Sequence, residues 1–122
     1  MDEILTSTTI LQRYAAGERD FFGLEVEDPP DATPLNGAVL DDINFSGAYL
    51  VISFEGASLR RARFVGANVK TCLFTNADLR AADFTGACLD GATFVGARLE
   101  GCEFEGASVS GYTFPRGERP SW

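Results

Sequence analysis

The three cysteines are the side chains of this sequence best suited to chemistry, and the chain of 122 residues contains no histidine. Cys88 lies sixteen residues after Cys72 and fourteen before Cys102, a spacing that matches no zinc-binding pattern. Without histidine, neither Ser-His-Asp nor Cys-His catalysis can be built, and no metal site can include an imidazole. The cysteines therefore indicate neither a catalytic nor a metal site.

Carboxylates are the other candidate groups, and Asp78, Asp83 and Asp90 all lie at outward positions of a regular repeat. A pair of catalytic acids needs a cleft, which a filled repeat structure does not offer. The glycines follow the same repeat and form no phosphate-binding loop. We therefore predict that the protein is not an enzyme and that it has no catalytic residues, no cofactor-binding residues, no cofactor and no metal.

Composition narrows the class of partner. The formal net charge is −8, which disfavours binding to nucleic acid or to an anionic membrane. No apolar run is long enough to span a membrane, and Met1-Asp2-Glu3 lacks the basic start of a secretory signal. We expect a cytoplasmic protein whose partner is an unidentified protein, with no nucleic acid and no membrane.

A five-residue period organises the chain. From Phe54 to Phe114 every fifth residue is Phe, Leu or Val, and between 57 and 107 the residue two positions earlier is Ala or Cys. Neither a helix nor a strand has this period, whereas a coil of short extended steps joined by turns does. The predicted structural core consists of Phe54, Leu59, Phe64, Val69, Phe74, Leu79, Phe84, Leu89, Phe94, Leu99, Phe104, Val109 and Phe114.

Blocks such as Ala77-Asp78-Leu79-Arg80-Ala81 resemble the repeat unit of pentapeptide repeat proteins, and the segment Tyr14 to Phe21 is similar to the lead-in of cyanobacterial members. The resemblance implies an all-β solenoid, a right-handed quadrilateral β-helix of about 4–5 coils with four pentapeptides per turn. With twenty residues per coil, two sets of phenylalanines stack on opposite walls: Phe54, Phe74, Phe94 and Phe114 on one, and Phe64, Phe84 and Phe104 on the other.

The two ends of the chain depart from the repeat. A short helix around Ser7 to Ala16, begun by a Ser7 or Thr8 cap, makes residues 1–17 an N-terminal helical cap. Residues 18–114 form the β-helix, with a loop insertion at 27–34 and a frame break at 50–54, and residues 115–122 form a tail. Because the last coil has no helix to cover it, we expect either that Trp122 and the tail fold over it or that two molecules meet there as an end-to-end homodimer.

Two outer surfaces are candidate contact sites. A candidate basic stripe consists of Arg60, Arg61, Arg63, Arg80 and Arg98, which is interpreted either as a docking patch or as a solvated face with neighbouring acids. A candidate interaction wall, nearly uncharged, consists of Leu73, Thr75, Thr93, Val95 and Thr113. Cys72 and Cys102 occupy inward positions, whereas Cys88 points outward, where modification or redox sensing is an alternative to a purely structural role.

These features favour a non-catalytic protein–protein interaction module that presents flat solenoid faces to a protein partner. The alternative comes from the same family resemblance, since quinolone-resistance members resemble duplex DNA and bind DNA gyrase. The overall acidity favours such a DNA-mimic modulator of DNA gyrase, whereas the net basic charge of residues 50–99 opposes it. Direct nucleic-acid binding through the basic stripe has the least support, because exposed aromatic residues are not interleaved with the arginines.

Overall fold

The computed structural model describes residues 4–122, so the first three residues of the predicted cap lie outside it. The regular elements are short: β1 (Ile4–Leu5), α1 (Ser7–Ala15), β2 (Glu25–Glu27), β3 (Tyr49–Val51), β4 (Ser108–Val109) and β5 (Tyr112–Thr113). Strands β1, β2 and β3 form a parallel sheet in that order, and β4 pairs with β5 in antiparallel fashion. No helix in the described part of the chain has the length and apolar character needed to cross a bilayer.

Most of the chain is held by single parallel β-bridges rather than by long strands. Beyond residue 53 the bridges join residues twenty apart, as in Leu73 to Thr93, Asp78 to Arg98, Asp83 to Glu103 and Cys88 to Ser108. There are thus four bridges per twenty-residue coil, and the coils stack into a parallel β-solenoid with four walls.

We name the walls by their inward residues. Wall 1 contains Phe21, Phe45, Phe64, Phe84 and Phe104; wall 2 contains Val26, Leu50, Val69, Leu89 and Val109; wall 3 contains Leu35, Phe54, Phe74 and Phe94; wall 4 contains Leu40, Leu59, Leu79 and Leu99. Together these residues make up four coils and half of a fifth. The column is filled by the side chains that the five-residue period places inward.

The first two coils differ in length from the rest. Asp20 bridges to Asn44, twenty-four residues on, because residues 28–34 loop out between walls 2 and 3. Asn44 then bridges to Arg63, only nineteen residues on, because the step from Leu50 to Phe54 is one residue shorter than the repeat. The insertion and the shortened step therefore alter the length of a coil without altering which residues face inward.

Two columns of stacked phenylalanines form the centre of the core. Within wall 1, Phe64 and Phe84 are 4.6 Å apart between ring centroids and nearly parallel. Within wall 3, Phe74 and Phe94 are 5.1 Å apart and nearly parallel. Across the core the rings meet edge to face, as in Phe84 and Phe94 at 5.6 Å. This combination of stacked and edge-to-face contacts is the geometry that aromatic pairs prefer.

The N-terminal end is closed by α1, but its cap comes from elsewhere in the chain. The residue before the helix, Thr6, makes no side-chain capping bond. Instead the carboxylate of Asp28 accepts hydrogen bonds from the Ser7 N–H at 2.8 Å and from the Ser7 hydroxyl at 2.5 Å. The expected Ser7 or Thr8 cap is thus replaced by an acid from the loop insertion, where it also complements the helix dipole. Ile10 packs fully buried against the first coil.

The C-terminal end corrects one part of the core prediction. Phe114 is buried, but it does not stack beneath Phe94. At Ser110 and Gly111 both φ angles are positive, at 47° and 82°, which suits a tight hairpin turn. The chain therefore reverses, and the Phe114 N–H donates to the carbonyl of Ala107 at 2.8 Å.

Trp122 takes the place beneath Phe94 that the repeat assigns to Phe114. Its carbonyl oxygen accepts the Phe94 N–H at 2.6 Å, and its indole Nε1 donates to the carbonyl of Ala92 at 3.0 Å. Its ring stacks on Phe114 at 5.9 Å between centroids. The tail thus folds over wall 3 of the last coil, which is one of the two arrangements expected from the sequence. Leu99 and Val109 are only half-buried, because no complete coil covers them within residues 4–122.

Candidate interaction surfaces

The structure places the three cysteines in two different environments. Cys72 and Cys102 are buried, and their burial raises the pKa of each thiol to about 12. The Cys72 Sγ–H also donates to the carbonyl of Leu50 at 3.2 Å. Both are therefore protonated packing groups at neutral pH. Cys88 is half-exposed on wall 2, bridged to Asn68 and Ser108.

Arg60, the first arginine of the candidate basic stripe, is paired with Asp41 of the preceding coil. Arg60 donates from Nη2 to Asp41 Oδ2 at 2.7 Å, and its backbone N–H donates to Asp41 Oδ1 at 2.9 Å. The hydroxyl of Ser58 donates to the same carboxylate at 2.6 Å. Burial alone would raise the pKa of Asp41, but these hydrogen bonds outweigh it and hold the pKa below its ordinary value.

Two further arginines of the stripe form two-pronged ion pairs. Arg61 donates to both carboxylate oxygens of Asp42, at 2.8 and 3.0 Å. Arg80 does the same with Asp78, at 2.9 and 2.7 Å. The hydrogen bonds from these arginines lower the pKa of each aspartate, so all are ionised at neutral pH. Three of the five arginines are therefore neutralised by aspartates of the same wall.

The other two arginines of the stripe lie apart from one another. Arg63 is exposed on wall 1, where its backbone bridges to Asn44 and Asp83. Arg98 is exposed on wall 4 in the last complete coil, bridged to Asp78. The stripe is thus a mixed-charge surface of walls 4 and 1, with Arg60, Arg61 and Arg80 grouped around a cleft of about 280 Å³.

Wall 3 is the candidate interaction wall, and it contrasts with wall 4 in charge. Its outward residues from 53 to 95 are Ser53, Glu55, Leu73, Thr75, Thr93 and Val95, of which only Glu55 is charged. Leu73 and Val95 are 37% and 58% exposed. In the same coils wall 4 carries the paired charges described above. Two adjacent faces of one column therefore present a neutral and a highly charged surface.

Thr113 is the one predicted member of this wall that the structure places elsewhere. It lies in β5 and pairs with Ser108 of β4, so it does not continue the column of Leu73 and Thr93. The physical reason is the same chain reversal that displaces Phe114. The wall therefore ends at Val95 and at the tail residue Trp122, which is partly exposed.

A groove adjoins wall 3 at its corner with wall 2. It has a volume of about 190 Å³ and runs between the looped-out segment, including Pro29, Pro30 and Ala32, and the coil below it. Its floor and far side include Ile52 and Leu73, so the groove is continuous with the exposed part of the wall. At this size the groove matches one or two side chains rather than the roughly 300–1,000 Å³ of a small-molecule pocket.

Sequence reasoning missed several exposed apolar side chains at the N-terminal end. Phe22, Val39, Ile4 and Tyr49 are all exposed there. The five-residue period contains the signal that would have found three of them, since a residue directly before or after an inward residue points outward. Phe22 follows Phe21, for example, and its ring lies about 3.5 Å from the position that a Cβ at Gly47 would occupy.

The comparisons with known proteins agree with the five-residue period. A family model described as Pentapeptide repeats matches residues 52–76 and 77–111 in eight copies. No curated protein matches the chain. Solved structures do match, and one of them is alr5209, a pentapeptide repeat protein from Nostoc PCC 7120. It is 31% identical to this chain, the match covers 98% of this chain and 93% of alr5209, and the TM-score is 0.49.

Two other solved structures are more distant. One is HetL, a pentapeptide repeat protein involved in heterocyst differentiation regulation from the cyanobacterium Nostoc sp. strain PCC 7120. It is 27% identical over 78% of this chain, with a TM-score of 0.44. This chain spans 43% of the length of HetL. Rfr23 from the cyanobacterium Cyanothece 51142 is 23% identical over 85% of this chain and 95% of that one, with a TM-score of 0.45. The repeat matches and the identity to alr5209 over nearly the whole length establish that the chain belongs to the pentapeptide repeat family.

Proposed function

We propose that the protein is a non-catalytic protein–protein interaction module and that wall 3, with the adjoining groove, contacts the partner. In this proposal a right-handed quadrilateral β-helix with its N-terminal helix is a rigid frame, and function resides in the outward residues. The observation that carries the proposal is the pair of exposed apolar side chains, Leu73 and Val95, on a wall with one charged residue between positions 53 and 95.

The interior supports this choice because it leaves no room for a substrate. Phe64, Phe74, Phe84 and Phe94 fill the column, and each is nearly or fully buried. The groove beside Leu73 is too small for most substrates but suits an apolar side chain that projects from a protein surface. An anchor in the groove with flat contacts around it is the usual organisation of a small protein interface.

The charge pattern supports a protein partner over the alternative of DNA mimicry. A mimic needs free carboxylates along the shaft to occupy the sites of phosphates. Asp41, Asp42 and Asp78 instead neutralise arginines of the same wall. Wall 3 is neutral and wall 4 is mixed in sign, and such surfaces suit a protein surface with its own polar rim.

Comparative affinity capture tests the proposal. Tagged wild-type protein and the variants Leu73→Arg and Val95→Arg are used to capture proteins from an extract of the source organism, followed by quantitative mass spectrometry. Val39→Arg is the matched control, because Val39 is apolar and even more exposed than Leu73 and Val95 but lies on wall 4. We expect a protein retained by the wild type and by Val39→Arg and lost from both wall 3 variants, with all melting temperatures unchanged. Equal capture by all four proteins would contradict the proposal.

A further inference from the structure

The backbone at the C-terminal end of the solenoid is closed on some walls and open on another. On wall 3, the carbonyl of Ala92 and the N–H of Phe94 both bond to Trp122. On wall 2, the carbonyl of Ala107 accepts the N–H of Phe114. On wall 1, Phe114 lies beneath Phe104, with ring centroids 6.2 Å apart, and its carbonyl accepts the Gly106 N–H at 3.0 Å, whereas no acceptor within residues 4–122 lies within bonding distance of the Phe104 N–H. The tail and the hairpin thus replace the missing coil on these three sides at least in part.

Within residues 4–122, no segment pairs with wall 4 in this way. In the preceding coil, the N–H groups of Leu79 and Ala81 donate to the carbonyls of Arg98 and Glu100, each at 2.9 Å. The N–H groups of Leu99 and Gly101 are the equivalent donors of the last coil, and no acceptor within residues 4–122 lies within bonding distance of them. The carbonyl of Ala97 likewise has no donor within bonding distance among residues 4–122, whereas its equivalent at Ala77 accepts the Arg98 N–H.

The side chains along this edge are also without partners. Leu99 is half-buried, although every inward residue of wall 4 in the earlier coils is buried. Arg98 and Glu100 are exposed, and neither forms an ion pair within the described chain. The edge from Ala97 to Gly101 therefore presents two donors, one acceptor, an incompletely covered leucine and two charges of opposite sign.

We propose that this edge binds an extended segment of a partner protein, which adds to wall 4 as a further parallel rung. The segment carries an acidic residue opposite Arg98, then an aliphatic residue beneath Leu99, then a basic residue opposite Glu100. The backbone N–H of this acidic residue donates to the Ala97 carbonyl, and its backbone carbonyl accepts the Leu99 N–H. Strand addition of this kind obtains affinity from main-chain bonds and selectivity from alternate side chains.

The charge order is taken from the coil above the edge. There the same wall presents Asp78 beside Arg98 and Arg80 beside Glu100; Arg98 helps to lower the pKa of Asp78, and Glu100 helps to raise the pKa of Arg80. A segment with the order acid, aliphatic, base thus repeats on the open side the arrangement that already exists on the closed side. Opposite charges on directly paired residues favour a sheet, and like charges oppose it.

A second copy of the chain fits this edge less well. Antiparallel pairing of two such edges through the Leu99 N–H and the Ala97 carbonyl places Arg98 directly opposite Arg98 of the copy. Two arginines at such a pair are unfavourable. For this reason we assign the edge to a different protein, and the expected end-to-end homodimer becomes an outcome of the test.

The experiment uses the full chain and a peptide probe, acetyl-Gly-Ala-Asp-Leu-Arg-Ala-Gly-amide, which contains the sequence of residues 77–81. Amide chemical shifts of ¹⁵N-labelled protein are followed during titration to about 5 mM, since an edge this short gives affinities near the millimolar range. We expect saturable shifts at Leu99 and Gly101. A peptide with Asp and Arg exchanged should bind at least tenfold more weakly, and a peptide N-methylated at Asp should not bind.

The double variant Arg98→Glu, Glu100→Arg keeps the net charge and should reverse the preference between the two peptides. Absence of saturable shifts at Leu99 and Gly101, or equal binding of both peptides, would overturn the proposal. Shifts that depend on protein concentration without peptide would assign the edge to a second copy instead. This inference rests on the proposed function only in taking the partner to be a protein. Leu73 and Val95 take no part in the titration, so failure here and failure of wall 3 are distinguishable.

Discussion

Replacement of Phe84 by alanine removes a core ring that has four aromatic neighbours. The ring is fully buried and stacks on Phe64 at 4.6 Å and on Phe104 at 5.1 Å between centroids. It also meets Phe74 at 5.4 Å and Phe94 at 5.6 Å, both edge to face. The substitution therefore breaks two stacked and two edge-to-face contacts and leaves a void in the centre of the column.

The expected loss of unfolding free energy follows from these contacts. Truncation of a core phenylalanine costs about 3–5 kcal/mol, and each aromatic pair contributes about 0.5–1.5 kcal/mol beyond the buried area. The main-chain ladder fixes the distance between coils, so the walls cannot collapse into the void. We therefore expect about 4–5 kcal/mol for Phe84→Ala. Phe84→Leu keeps most of the volume and loses only the aromatic contacts, so about 2 kcal/mol is expected.

Urea unfolding followed by circular dichroism measures both losses. Leu99→Ala is the control, because Leu99 is only half-buried at the open end, and its truncation should cost less than that of any fully buried leucine. A loss below about 2 kcal/mol for Phe84→Ala would refute the reasoning, since a ring with four aromatic neighbours would then contribute no more than an exposed one. Equal stability of Phe84→Leu and the wild type would refute the aromatic contribution alone.

Three other substitutions test the corners, the ion pairs and the tail. Thr71 is β-branched at a φ of 59°, so Thr71→Gly should raise the unfolding free energy by about 1 kcal/mol in the same urea assay. The fold lowers the pKa of Asp41, so this carboxylate stabilises above its unfolded pKa and loses that effect as pH falls through the folded value. Asp41→Asn should cost about 2 kcal/mol at neutral pH and flatten the loss of stability below about pH 4, with a smaller effect for the exposed Asp42→Asn. Trp122→Ala should speed hydrogen exchange of the Phe94 amide at least tenfold, whereas unchanged exchange would show that the tail leaves wall 3 uncovered.

The sequence was sufficient to predict which residues face inward, for a simple physical reason. A five-residue period in a coil of twenty residues assigns each position to a wall, regardless of what happens at the ends. The insertion before Leu35 and the short step after Leu50 change the number of residues in a coil. Leu35, Leu50 and Phe54 nevertheless remain buried. Burial thus depends on local spacing, which a single sequence displays directly.

Contacts between distant loops could not be predicted in this way. The period assigns Phe114 and Thr113 to wall 3, but two consecutive positive φ angles at Ser110 and Gly111 reverse the chain before they arrive there. The groove exists only because a looped-out segment crosses the corner beside Leu73. Asp28, which lines this groove, also accepts the capping bond from the start of α1, a contact that no repeat pattern contains.

Walls 3 and 4 differ in the charge of their outward residues, although the same kind of ladder builds both. The two walls have equivalent backbones, and the ladder of each accepts serine or threonine outward, as at Ser53, Thr93 and Ser58. Nothing in the main chain requires leucine at position 73, where its side chain is more than one-third exposed. With 37% of its surface exposed, Leu73 gives up about 1 kcal/mol of burial that a partner surface would recover. In the proposed function the partner covers Leu73 and Val95, whereas Val39, which is 63% exposed on wall 4, stays uncovered.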